Sequence, residues 1–160
     1  MARKPVFYSF HYANDAMRVQ QIRNIGMIDD NSPASTNEWE QVKRGGDAAI
    51  RRWIDDNMNY KRCVVVMIGT ETAARPWVRY EIEKAWRDGR GLMGIYIHNL
   101  KCPRNGTSGR GPNPFDAIKC GMPYPLSAYV PCYDPPYNNA YGHIAANLAV
   151  WIDDAIARRA

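Results

Sequence analysis

The chain has 160 residues, 46% hydrophobic and 23% charged, which fits one soluble globular domain able to bury a core without metals or disulfides. No apolar run approaches the ~18 residues needed to span a bilayer, and the opening MARKPVFYSFHY lacks the apolar segment of a secretory leader, so a cytoplasmic protein is expected. The formal charge of +5 rests mainly on arginine and favours an anionic ligand such as a nucleotide or pyrophosphate. The basic residues are spread along the chain, so nucleic acid is only weakly signalled.

Residues 5–12 (PVFYSFHY) are aromatic and β-branched after a proline, and read as the first strand. Asn14 or Asp15 can cap a helix reaching about Asn24. A brief second strand is expected at residues 26–28, followed by a Ser/Pro/Asn/Asp loop. Residues 37–57 are helical in pattern, with Asn37 and Glu40 spaced as a capping box and Trp39, Val42, Ala49, Ile50, Trp53 and Ile54 in helical register. Gly45-Gly46 interrupts this pattern, and Asp47 can cap a fresh helix, so two helices or one broken helix both fit. Arg51-Arg52 with Lys61-Arg62 reads as a solvated face.

CVVVMIG (63–69) is a continuous β-branched run ended by glycine, typical of a parallel strand buried on both faces. A helix is expected at about 74–88, closed by Gly89, and a strand at 92–100 (LMGIYIHNL). Residues 101–138 are rich in Gly, Pro and Asn and read mostly as loop, a length that usually signals function. The last helix, about 141–158, carries an apolar stripe at Ile144, Leu148, Trp151 and Ile152. This alternation predicts an α/β domain: a parallel sheet of about five strands flanked by helices.

Cys63, Cys102, Cys120 and Cys132 form no CxxC pair, and His11, His98 and His143 are scattered, so no metal site is expected and all four thiols read as reduced. The turn after the first strand, FHYANDA, has no glycine, which excludes a GxGxxG dinucleotide site, and GxxxxGK[ST] does not occur. Ser9 alone does not make a flavin phosphate cradle. A receiver-type phosphoacceptor needs acidic residues after the first strand and an aspartate ending the central one, where this chain has His11-Tyr12 and Gly69-Thr70.

Glu81 lies in RPWVRYEIEKAW (75–86). Val78, Ile82 and Ala85 fall at i, i+4 and i+7 and define the face packed on the sheet, while Trp77 and Glu81 share an adjoining stripe. Glu81 thus borders the core, where lost hydration raises a carboxyl pKa. A surface salt bridge to Arg75, Arg79 or Lys84 is the competing reading, and periodicity alone does not reject it.

WVRYEI (77–82) closely resembles the W-V-x-x-E-[IL] helix motif of TIR domains that cleave NAD, in which the glutamate is catalytic. VFYSFHY (6–12) resembles the first-strand box of the same family, and the element order agrees from about residue 5 to residue 100. With GPNPFD (111–116) in the long loop, the likeness is greatest to the TIR-like subfamily of bacterial Thoeris antiphage defence systems that contains ThsB. IDDNSPASTNEWE departs from the loop that many TIR domains carry after their second strand.

The resemblance implies a single flavodoxin-like TIR domain over residues 1–160. Glu81 would be the catalytic residue, and Ser9, Phe10, His11, Asp47 and Trp77 are the candidate substrate contacts. It also implies NAD as substrate with no further cofactor, and cleavage of the nicotinamide–ribose bond to give a cyclic or modified ADP-ribose. That diffusible signal would activate a separate effector. A phage-derived activator protein and homo-oligomerisation on activation complete the implied partners. Two other readings fit the residues: a non-enzymatic TIR interaction module, and a nucleoside deoxyribosyltransferase-like enzyme that also places a glutamate at a ribose carbon.

Overall fold

The structure is a computed structural model describing residues 4–25, 28–30, 41–102 and 106–159. Five parallel strands, β1 (Lys4–Ser9), β2 (Ile28–Asp30), β3 (Cys63–Ile68), β4 (Gly91–Tyr96) and β5 (Cys132–Tyr133), form one sheet in the order β2-β1-β3-β4-β5. This is the flavodoxin-like order, which leaves a crevice at the carboxyl ends of β1 and β3 where the winding reverses. The β1 and β3 ladders run in register from Val6 opposite Cys63 to Ser9 opposite Val66.

Four helices cover the sheet: α1 (Tyr12–Arg23), α2 (Gly46–Met58), α3 (Pro76–Arg87) and α4 (Ala140–Ala157). Strand parity decides which layer each side chain joins. Val6, Tyr8, Cys63, Val65 and Met67 pack with α1 and α4, through Val19, Ile22, Leu148 and Ile152. Phe7, Val64, Val66 and Ile68 pack with α2 and α3, through Ile54, Met58, Val78 and Ile82. All six β3 residues are buried, as expected for a central strand covered on both faces.

Several expected boundaries move. The first strand ends at Ser9 rather than Tyr12, because α1 already starts at Tyr12 with His11 as its N-cap. Asp15 is therefore not a cap but a buried residue of the first helical turn. The second strand is Ile28–Asp30, while Gly26, the Asn37–Glu40 capping box and Trp39 lie outside the described residues. The break at Gly45-Gly46 is real: residues 41–44 are helical and α2 begins at Gly46, whose φ of 81° suits glycine. Gly45, not Asp47, is the N-cap of α2, which leaves Asp47 exposed in the first turn.

A 3-10 turn (Thr72–Ala74) precedes α3, and β4 stops at Tyr96 rather than at residue 100. The loop expected at 101–138 contains two 3-10 turns, Pro114–Ala117 and Leu126–Ala128, and the edge strand β5. Phe115 and Leu126 are fully buried against α2 and α3. The Tyr133 ring stacks on Trp151 of α4, with centroids 4.2 Å apart. Among the described residues, Cys63, Cys102, Cys120 and Cys132 form no disulfide. No helix among the described residues is long and apolar enough to cross a membrane.

Candidate active site

Parity carries Ser9, the last residue of β1, to the α3 side of the sheet, since Phe7 two residues earlier also points there. On α3, Glu81 lies one turn before Ala85 and one residue before Ile82, so its side chain turns toward the same strand end. The two meet: Ser9 Oγ donates to Glu81 Oε1 at 2.6 Å, a buried bond between residues 72 positions apart. Ser9 is fully buried and Glu81 is 8% exposed. Burial raises the Glu81 carboxyl to about 8, and the Ser9 hydrogen bond, which favours the ionised form, offsets this only in part.

The salt-bridge reading of Glu81 fails because its candidate cations are engaged elsewhere. Arg79 bonds Glu83 at 2.8 Å, Lys84 bonds Asp88 at 3.0 Å, and Arg75 lies 3.6 Å from Glu71. A carboxyl set against the core with a hydroxyl as partner is costly for stability, and such groups concentrate at functional sites.

His11 follows Ser9 at the same strand end. Its imidazole is 11% exposed, and Nδ1 stands 3.8 Å from Glu71 Oε2. Burial and the Arg75 charge hold its pKa below the usual histidine value, while Glu71 pulls it upward. Phe10 takes the opposite parity and packs half-buried on the α1–α4 side, across the sheet from Glu81. Trp77 is half-buried one turn before Glu81. Its ring makes an edge contact with Tyr80 at 5.6 Å and lies 5.9 Å below the Arg51 guanidinium, facing α2. The structure therefore joins Ser9 to Glu81 and sets His11 at the same strand end, facing Glu71. It places Phe10 on the other face and gives Asp47 an exposed position on α2.

Other residues at this end of the sheet were not expected at the site from the sequence. Asp15 is 2% exposed, its carboxylate lies 3.6 Å from Arg18, and burial raises its pKa to about 6. Its carboxylate lies against Gly69, where a Cβ would come within 2.2 Å of Oδ2. Arg18 donates to the carbonyls of Leu100 and Gly106, both at 2.9 Å, and so ties α1 to the loop after β4. Gly69 N–H donates to Thr72 Oγ1 at 2.8 Å, which fixes the turn between β3 and α3. Gly111 presses on the same turn, since a Cβ there would lie 1.9 Å from the Gly69 carbonyl oxygen. Among the described residues, no cluster of three His, Cys, Asp or Glu side chains is placed to hold a metal.

Residues 7–102, more than half of the chain, match the family described as Thoeris protein ThsB, TIR-like domain. A protein of Bacillus cereus (strain MSX-D12), provisionally named cyclic ADP-D-ribose synthase ThsB1, is 37% identical over 120 residues, which cover 72% of this chain. The chain spans 62% of that relative's length. The matched residues hold the end of β1, all of β2 to β4, α3 and the Ser9–Glu81 pair. The chain belongs to the TIR-like domain family of Thoeris ThsB proteins.

Proposed function

We propose that this protein cleaves NAD at the nicotinamide–ribose bond and closes the ADP-ribosyl part into a cyclic or modified ADP-ribose, a diffusible signal to a separate effector in antiphage defence. The observation that carries this reading is the buried Glu81 carboxyl, held by Ser9 at the switch-point crevice. The name of the Bacillus cereus relative supports the cyclase outcome. Ser9, His11 and Trp77 are proposed as substrate contacts. Phe10 and Asp47 would need to contact substrate from the positions described above.

The chemistry follows from the electrostatics. In the free protein burial favours the protonated form of Glu81 at neutral pH, since it raises the carboxyl to about 8. NAD brings a cationic nicotinamide ribosyl group, whose positive charge favours the ionised carboxylate and drives its proton into solvent. Ionised Glu81 then stabilises the oxocarbenium-like charge that grows as the C1–N bond breaks, with the bonding pair leaving on the nicotinamide nitrogen. Nicotinamide leaves as a neutral base and needs no general acid. A nucleophile within the same ADP-ribosyl unit bonds to C1. If it is a hydroxyl, its proton passes to Glu81, whose elevated basicity suits that role. Ring closure requires that water be kept out. No further cofactor enters. The active assembly is a homo-oligomer formed in the cytoplasm on a phage-derived trigger.

Mass spectrometry of NAD-derived products, made by the protein with and without phage lysate, tests the reading. The expected result is nicotinamide together with a product of lower mass than ADP-ribose by one water. Linear ADP-ribose as the sole product overturns ring closure, and unconsumed NAD overturns the reaction.

A further inference from the structure

Three residues stand together on the rim of the crevice, and NAD cleavage at Glu81 leaves two of them, Glu71 and Arg75, without a task. His11 is the N-cap of α1, Arg75 is the N-cap of α3, and Glu71 is the N-cap of the 3-10 turn before α3. Neither N-cap makes a side-chain cap hydrogen bond among the described residues, so the positive ends of two helix dipoles lie near this rim, although Pro76 leaves the first position of α3 without an N–H. No acidic residue occupies the first turn of α3. The acid in the first turn of α1, Asp15, is paired with Arg18. Into this positive environment the chain inserts one carboxylate of its own. Glu71 Oε2 lies 3.6 Å from Arg75 Nη2 and 3.8 Å from His11 Nδ1. Both separations exceed a hydrogen bond, and His11 Nδ1, although buried, has no hydrogen-bond partner among the described residues.

One oxygen loosely shared by a guanidinium and an imidazole is the arrangement that a phosphate oxygen fills more tightly. The Glu71 and Arg75 side chains are about half exposed, at 54% and 43%, so Glu71 can swing away without disturbing the core. We propose that Arg75 and His11 form the subsite for the pyrophosphate of the dinucleotide, and that Glu71 occupies it in the free protein as an internal competitor. This rests on the NAD reading and deepens it. His11 lies two residues beyond Ser9 and Arg75 six residues before Glu81, so a pyrophosphate held there leaves the attached ribose within reach of the carboxyl.

The test uses inorganic pyrophosphate as probe and the His11 imidazole resonance, assigned by comparison with His11→Gln, as readout. In the wild-type protein the resonance shifts saturably with pyrophosphate. Arg75→Ala weakens the affinity by about tenfold, the loss of a charge-assisted hydrogen bond. Glu71→Gln tightens it by ~2–5-fold, the release of an exposed ion pair. A His11 resonance that stays still at saturation, an Arg75→Ala protein that binds as wild type does, or a Glu71→Gln protein that binds no tighter overturns the subsite. Nicotinamide release by a protein whose His11 is silent to pyrophosphate sinks the subsite and leaves the NAD reading standing. A saturable site in a protein that never releases nicotinamide does the reverse.

Discussion

At the scale of the residue, the proposed role of Glu81 turns on its 2.6 Å bond with Ser9. Burial favours its neutral form and the serine hydroxyl favours its charged form, with burial the larger effect. The required species is the carboxylate, so kcat/KM for NAD is expected to rise with pH through about 8 and level off above it. The limb in kcat lies at lower pH, because bound NAD places a positive charge beside the carboxyl. Ser9→Ala removes a donor that stabilises the ion, so its kcat/KM limb moves to higher pH, with activity at neutral pH down by about tenfold. A Ser9→Ala profile that coincides with the wild-type profile counts against this role for the hydroxyl.

At the scale of the element, the turn from β3 into α3 is the pivot of the site. Asp15 presses on Gly69 from one side and Gly111 from the other, so the long Gly/Pro-rich loop is packed into the crevice wall rather than hanging free. Buried Phe115 anchors the same loop. Gly111→Ala would force the loop off Gly69, at a cost of about 1–3 kcal/mol for overpacking, or roughly 2–4 °C in Tm per kcal/mol. Thermal unfolding of the variant checks this, and an unchanged Tm would show that the loop yields without strain.

The same elements show what the sequence made legible. β3 and α3 stood out because burial on two faces leaves a continuous apolar run and burial on one face leaves a helical stripe. β5 did not, since two residues in a Pro-rich stretch carry no periodicity. Asp15 was expected as a cap because Asp suits that place, but the helix starts three residues earlier and buries it. Glu81 was visible as a carboxyl at the edge of the core. Its partner was not, because the Ser9 contact depends on strand parity and on two elements meeting across 72 residues. Phe10 was grouped with Ser9 by adjacency in the chain, yet adjacent residues of a strand face opposite ways.

At the scale of the whole molecule, the sheet order sets the chemistry in one place. The reversal at β1 and β3 brings the ends of two strands and the starts of two helices to a single crevice. Within it a buried acid, a neutral imidazole and an arginine are graded from the interior to the rim. That gradient matches a substrate with a cationic ribosyl end and an anionic diphosphate. The central claim is that the buried acid performs the cleavage. It is tested most directly by measuring nicotinamide release from NAD by wild-type and Glu81→Gln proteins, each confirmed as folded, in the presence of phage lysate. Glutamine keeps the acceptor for Ser9 but cannot ionise, so release is expected to fall by on the order of a hundredfold or more. Release at the wild-type rate by Glu81→Gln would contradict the account.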